Sequence, residues 1–285
     1  MGLLLGIGNH ISKNTRLGSK LKQKPFDFAT ANGSQALSII VNLPVGKTLI
    51  VDWGDGTSNS YDGQDATDIT LSKTYAGAGI YPIKFRGNWR ELTTLYCYSN
   101  SLTGDVSGWS ALTDLTYLSC GDNSLTGDVS GWSALTKLTE LRCYLNSLTG
   151  DVSGWSALTD LTYLNCRSNS LTGAPHIGAN VSAELIYQAQ TNNFSSAPLT
   201  VFRKGMTVFN IATQKVAFST ANIDILLKNI ADWYEVNAPT ANCTFTMNGA
   251  NMGIPTDGAS NADILRTIGY YTAASKIATF VVRTS

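Results

Sequence analysis

Two histidines, His10 and His176, are all that 285 residues contain. They stand far apart in loop-like surroundings, so no Ser-His-Asp or Cys-His nucleophile and no His-rich metal site can be assembled around them. Charge is scarce as well: Asp, Glu, Lys and Arg make up 14% of the chain, and 20 basic side chains balance 20 acidic ones. No whole-chain field therefore favours nucleic acid or an anionic membrane. No apolar run approaches the roughly 18 to 20 residues that cross a bilayer, so membrane insertion is not expected. A P-loop is missing, and the fragment Gly6-x-Gly8 lacks the third glycine and the strand-helix context of a dinucleotide loop. No two carboxylates in contrasting surroundings suggest glycosidase chemistry. Neither an enzyme, a cofactor nor a bound metal is expected.

Ser, Thr, Asn and Gly take the place of the missing charge, a neutral polar surface more typical of extracellular binding proteins. The 43% hydrophobic content is ample for a buried core. Within it the stretch SLTGDVSGWSALT recurs letter for letter from Ser101, Ser124 and Ser147. Leu102, Leu125, Leu148 and Leu171 follow one another at steps of 23, as do Cys97, Cys120, Cys143 and Cys166, and Asn100, Asn123, Asn146 and Asn169. Self-similarity at such a period is the signature of a stacked array.

Each unit reads Leu-x-x-Leu-x-Cys-x-x-Asn-x-Leu, as in Leu115, Leu118, Cys120, Asn123 and Leu125. In this the chain resembles a leucine-rich repeat array, with Cys where that family often has Leu. The resemblance covers residues 89 to 194, including a degenerate fifth unit at Ala189, Asn192 and Phe194, and a weaker strand-turn pattern runs from Phe209 to Phe218. Units of this length cannot bury their own apolar face, so they stack, and each offset forms a ladder with its copies. Leu118 and Cys120 are expected to point inward from a short parallel strand, and the Asn ladder to satisfy backbone groups where the chain turns away. Trp109, Trp132 and Trp155 are expected inside the returning side of the coil. Asp105, Asp128 and Asp151, each after a glycine, read as a repeated turn or cap. The ladder cysteines read as small hydrophobes whose parallel Cβ vectors disfavour disulfides, and an odd total of five suggests folding in a reducing compartment.

Comparing residues 102–124, 125–147 and 148–170, only five of the 23 offsets vary: those of Asp114, Tyr117, Ser119, Gly121 and Asp122. Positions 117, 119 and 121 alternate with Leu118 and Cys120 and so are expected on the outward, concave face of the strand. Across the units that face carries Thr94, Tyr96, Tyr98, Tyr117, Ser119, Gly121, Glu140, Arg142, Tyr144, Tyr163, Asn165 and Arg167. Tyr and Arg are enriched in binding hot spots, having large, fairly rigid bodies with a polar end. The candidate ligand-binding residues are Tyr96, Tyr98, Tyr117, Glu140, Arg142, Tyr144, Tyr163, Asn165 and Arg167. Drift on a solvent-exposed strand is the competing reading.

Residues 26 to 87 read as β structure, and Val51-Asp52-Trp53-Gly54-Asp55-Gly56-Thr57, with Thr74-Tyr75 and Gly79-Ile80-Tyr81, resembles a PKD-type immunoglobulin-like domain. The resemblance implies a spacer or adhesion module. Asp52 and Asp55 are too few for a Ca²⁺ shell and read as turn and strand-end residues. After residue 219 the pattern ANIDILLKNIADWY, NCTFTMNGANMG, SNADILRTIGYYTAASK, IATFVVRT resembles the helix-strand-helix-strand closing units of bacterial and phage leucine-rich repeat proteins. Leu226, Leu227 and Ile230 are expected to face the array as a cap. The first 25 residues carry Lys13, Arg16, Lys20, Lys22 and Lys24 without an acid, behind MGLLLGIG. They read either as a solvated tail or as a docking peptide anchored by Leu3, Leu4, Leu5 and Ile7. No basic residue precedes the apolar start and no cleavage site follows, so no secretion signal is read there.

The expected fold is α/β and β: an N-terminal docking peptide or flexible arm (1–25), a PKD-like β-sandwich (26–88), a leucine-rich repeat solenoid (89–218) and an α/β cap (219–285). An adhesin-like layout, no export signal and reduced thiols together lead to a phage virion structural protein, a tail- or head-associated appendage that folds in the host cytoplasm. Its expected partners are other virion proteins and a host surface glycan or protein. A bacterial cell-surface adhesin is the alternative, and a carbohydrate-active hydrolase a more distant one. A homo-oligomer stays open, although no trimerising motif is visible.

Overall fold

The computed structural model describes residues 26–30, 36–64, 67–173, 185–189, 192–194, 206–210, 243–248 and 277–283. The N-terminal part contains β1 (Phe26–Thr30), β2 (Ala36–Asn42), β3 (Thr48–Asp52), β4 (Ser58–Asp62), β5 (Ile69–Thr74) and β6 (Gly79–Gly87), all paired antiparallel. The period-2 alternation of ALSIIVN buries Leu37, Ile39 and Val41 completely. At the turn after β3, Trp53 is fully buried, its indole N–H donating to Asn59 Oδ1 at 2.6 Å, while the Tyr75 hydroxyl donates to the Trp53 carbonyl at 2.9 Å. Gly54 has φ +77°, and a Cβ there would lie 2.6 Å from the backbone nitrogen of Pro82, so only glycine fits. Asp52 accepts from the Gly54 N–H and pairs with Arg86; Asp55 accepts from the N–H and hydroxyl of Thr57 and pairs with Lys73 at 2.6 Å. The Lys73 ammonium, with help from Thr57, lowers the Asp55 carboxyl to about 2. Both carboxylates thus serve turns and ion pairs.

The coils follow as alternating strands: β7 (Thr94–Tyr96), β8 (Leu102–Asp105), β9 (Tyr117–Ser119), β10 (Ser124–Asp128), β11 (Glu140–Arg142), β12 (Ser147–Asp151), β13 (Tyr163–Asn165) and β14 (Ser170–Thr172). The odd-numbered strands form one parallel sheet in a register advanced by one repeat, as in Leu118↔Leu141↔Leu164, and the even-numbered ones form another whose register falls two residues short of a repeat, as in Leu125↔Gly104 and Gly127↔Leu148. Between an even strand and the next odd one the chain returns through a 3₁₀ segment, Ser107–Ala111, Ser130–Ala134 or Ser153–Ala157. The odd sheet continues in parallel through β15 (Leu185–Gln188), β16 (Met206–Asn210), β17 (Cys243–Asn248) and β18 (Ile277–Arg283). Strands β17 and β18 fall where the closing pattern predicts them. The expected helices with Leu226, Leu227 and Ile230, and the docking residues Leu3, Leu4, Leu5 and Ile7, lie outside the described residues, among which there is no α-helix.

Both sheets run across the expected boundary at residues 88 and 89. Strand β2 pairs antiparallel with β7 (Ile40↔Tyr96) and β1 with β8 (Phe28↔Leu102), giving one sheet of ten strands and one of eight. Buried residues from Leu37 to Phe194 form one continuous core.

Candidate functional site

Four ladders hold the coils in register and fix where the strand face points. Asn123 donates from Nδ2 to the carbonyls of Cys97, Cys120 and Gly121 at 3.0–3.1 Å, and its Oδ1 accepts from the Leu102 N–H at 2.9 Å. Asn146 and Asn169 repeat the pattern one coil further each time, and Asn192 keeps its inter-coil bonds. One amide therefore satisfies four backbone groups that the buried turn would orphan. Asn100, at the first such position, instead exchanges two bonds with the backbone of Ser38 in β2, donating to its carbonyl at 2.8 Å and accepting from its N–H at 2.9 Å. The N-terminal strand is read by the same side chain that reads a coil.

On the even sheet, Asp105, Asp128 and Asp151 accept from the N–H groups of Ser107, Ser130 and Ser153 at 2.8–2.9 Å, starting each 3₁₀ segment. The following coil supplies the glycine this requires. Gly127 and Gly150 have φ +118° and +112°, and Cβ atoms on them would lie 2.5 and 2.2 Å from Asp105 and Asp128 Oδ1. The returning side buries Trp109, Trp132 and Trp155 as a stack with centroids 6.2 and 6.3 Å apart and planes within 6°. Cys97, Cys120, Cys143 and Cys166 are buried and free, and burial pushes their thiols up, that of Cys143 to about 12. Such thiols are poor nucleophiles and poor disulfide partners.

The outward side of β7, β9, β11 and β13 differs from coil to coil, and its side chains interlock. Tyr96 meets Tyr98 edge-on at 4.8 Å and stacks with Tyr117 at 6.1 Å. Burial, then the hydrogen bond with Tyr98, pushes the Tyr96 phenol up to about 12. The Arg142 guanidinium lies 4.2 Å from the Tyr163 ring centre and 5.9 Å from that of Tyr117, and grips Glu140 through Nε and Nη2 at 3.1 and 2.8 Å. Arg167 lies 4.6 Å from the ring centre of Tyr144. Tyr144 in turn leans over Gly121, where an added Cβ would come within 2.5 Å of the ring. The result is a band of aromatic rings and guanidinium planes, ordered by cation-π contact and one ion pair.

Eight of the nine candidate ligand-binding residues sit in this band, half-buried or, for Tyr98, 40% exposed. Asn165 does not present itself: it is 3% exposed, and its Oδ1 is buried without a partner. Ser119, also assigned to the outward surface, is covered equally, at 3%. Both are short side chains in the middle row, where Ser119 lies in register between Tyr96 and Arg142, and Asn165 beside Arg142. The long Arg142 side chain flanks both in register. Sequence reasoning also passed over the turn that follows each odd strand. Ser99, Asp122, Leu145 and Ser168 occupy one offset there and all have φ between 50° and 57°. Variation at the Asp122 offset was the available signal.

Parallel strands at a 23-residue step, an inward Leu and Cys pair and an Asn-anchored turn define the repeat region as a leucine-rich repeat fold. No protein-family model matches the chain, and no curated protein matches it. Among solved structures, leucine-rich repeat proteins are similar to it. The leucine-rich repeat ectodomain of the receptor kinase GASSHO1/SCHENGEN3 from Arabidopsis thaliana, in complex with CASPARIAN STRIP INTEGRITY FACTOR 2, is 16% identical over 56% of this chain and 22% of its own, with a TM-score of 0.39. The BIR2 ectodomain from Arabidopsis thaliana is 14% identical over 43% of this chain and 68% of its own, at 0.33. The functional domain of InlJ from Listeria monocytogenes, which includes a cysteine ladder, is 20% identical over 61% of this chain and 44% of its own, at 0.29. The chain thus spans about a fifth of the GASSHO1 ectodomain and under half of the InlJ domain. Among the described residues no helix is long and apolar enough to cross a membrane, and no three His, Cys, Asp or Glu side chains cluster as metal ligands.

Proposed function

We propose that the chain is a non-enzymatic structural protein of a phage virion, part of a tail- or head-associated appendage, which binds a host surface molecule through the outward face of its odd-numbered strands. The observation that carries the recognition half is the confinement of inter-coil differences. Three of the five varying offsets fall on one strand face, and there the rings and guanidinium groups form a connected, ordered band. Such a band is preorganised: its rotamers are fixed before a ligand arrives, which lowers the entropic cost of binding. The N-terminal strands, read as a PKD-like sandwich, act as a spacer that fixes the array relative to the particle, and the segment before residue 26 docks on other virion proteins.

Immunogold electron microscopy of an infected-culture lysate, with an antibody against this chain, tests the reading. Gold on virions is the expected outcome, and its position separates tail-tip attachment from capsid decoration. Gold on cell envelopes beside bare virions would replace the virion role by a bacterial adhesin.

A further inference from the structure

Asn165 is the exception in the middle row of the outward face. At the same offset Tyr96 hydrogen-bonds with Tyr98, Ser119 with Tyr117, and Arg142 with Glu140, so those polar groups are used within the band. Asn165 Oδ1 is buried without a partner, in a side chain only 3% exposed. A buried acceptor that lacks a donor has lost its water and gained nothing in return. The other such atom among the described residues, Trp132 Nε1, lies inside the indole stack, where no ligand reaches. Asn165 stands instead on the recognition face, in register beside Arg142 and two residues after Tyr163. The groups around it are lightly held. Arg142 reaches from β11 to lie 4.2 Å from the Tyr163 ring centre, and the Arg142 and Glu140 side chains keep 36% and 31% of their surface exposed. Ion pairs and cation-π contacts at that exposure are weak and give way to a competitor. The charges of the face and of the turn row behind it also cancel, Glu140 and Asp122 against Arg142 and Arg167.

We infer that the recognition face takes a neutral saccharide, one hydroxyl of which donates to Asn165 Oδ1 while the C–H side of its ring replaces the Arg142 guanidinium on Tyr163. This rests on the proposed recognition role of that face and narrows its ligand class. One ligand then answers two features of the free chain. A sugar hydroxyl is the donor that Asn165 lacks, and the ring hydrogens, slightly positive, suit the negative face of a phenol ring. Arg142 keeps Glu140 as its partner on the same strand when it leaves Tyr163. Aromatic platforms with a few placed polar groups are the make-up of a site for a small polyhydroxylated ring. An anionic ligand would meet Glu140 and Asp122 along with the two guanidinium groups, and so gains no net attraction from the face.

The test uses the full chain and three probes from envelopes of the bacterium whose infected culture yields the particle. They are the neutral oligosaccharides released by mild acid, the acidic oligosaccharides that anion exchange separates from them, and tryptic peptides. Binding is read by saturation-transfer NMR and calorimetric titration, and stability by thermal melting. Wild type is expected to bind the neutral fraction alone. Asn165→Leu puts an apolar side chain of similar size in place of the partnerless acceptor, so it is expected to melt no lower than wild type and to bind about tenfold more weakly. Tyr163→Ala is expected to lose binding as well, and Arg142→Ala to keep or tighten it. Wild-type affinity in Asn165→Leu or Tyr163→Ala overturns the site. A lower melting point in Asn165→Leu does so too, because it shows that the oxygen is already partnered in the free chain. Loss of binding in Arg142→Ala overturns the exchange on Tyr163. Binding of the acidic fraction or of the peptides in place of the neutral fraction overturns the saccharide assignment and leaves the recognition role of the face standing, as does binding of no fraction by a chain that still sediments with intact envelopes. Failure to sediment with intact envelopes overturns the host-recognition reading and the site with it.

Discussion

The two sides of each coil are built from the same 23 residues and follow opposite rules. On the side of the even strands and the 3₁₀ segments the coils are identical, and nearly every fixed letter has a partner one coil away: Gly127 makes room for Asp105, Trp132 stacks on Trp109, and Thr126 donates to the Gly104 carbonyl. A change in one copy would break a contact in the next. On the outward side of the odd strands contacts also cross between coils, but as different pairs each time: ring on ring at Tyr96 and Tyr117, guanidinium on ring at Arg142 and Tyr163, ring over glycine at Tyr144 and Gly121. Identity is required where a ladder must close in register. It is dispensable where side chains need only fill one another's space.

The sharpest test of that contrast is Trp132→Ala, which removes the middle of the indole stack. It is expected to cost about 3–5 kcal/mol by urea unfolding, through the cavity it leaves, and a loss under 1 kcal/mol would show that the invariant side is not what holds the array. Gly150→Ala adds a single methyl at φ +112° against Asp128 and is expected to cost about 1–3 kcal/mol. A neutral result would mean that the Asp row can be displaced. The variable side should respond more weakly. A double-mutant cycle on Arg142→Ala and Tyr163→Ala is expected to give a coupling of about 0.5–1 kcal/mol, and a coupling as large as the Trp132→Ala loss would erase the distinction.

The smallest effects separate the two sides by pH. The Ser130 N–H and hydroxyl hold the Asp128 carboxyl below its ordinary value, so the stability it lends is present above that value and is lost as pH falls through the lowered one. Tyr96 behaves in the opposite sense. Its phenol, raised from 10 to about 12, stays protonated in the fold while an unfolded tyrosine ionises, so its contribution is present below pH 10 and is lost between about 10 and 12. Melting curves against pH should therefore show an acid limb flattened by Asp128→Asn and an alkaline limb flattened by Tyr96→Phe. The buried thiols act in the same alkaline direction, and the difference between wild type and Tyr96→Phe isolates the tyrosine. Acid and alkaline limbs that respond to neither change would sink the assignment.

The ladders were legible in the sequence because each needs one residue type at one spacing: the step from Asn100 to Asn169 already implies stacked turns. The outward orientation of Tyr117 and Arg142 followed from alternation with Leu118 and Cys143. What alternation does not carry is the size of a neighbour in another coil, and so the covering of Ser119 and Asn165 was not legible. Nor was the junction, since pairing Ile40 with Tyr96 joins residues more than fifty positions apart and no motif marks it. The left-handed turns were hidden for a different reason. Such positions are usually signalled by Gly or Asn, and this chain fills them with Ser, Asp, Leu and Ser.

The three exact coils meet one another through the same set of ladders, so those contacts alone do not fix how many such coils there are. Inserting another copy of residues 125–147 between two existing ones would present Asn, Asp, Gly and Trp to the neighbours they already fit, lengthening the face by about 4.8 Å and adding three outward positions. Removing a copy would shorten it equally cleanly. Duplication of a single exact repeat is then a change in length that keeps the ladders as they were, and the positions at which these coils differ lie off those ladders.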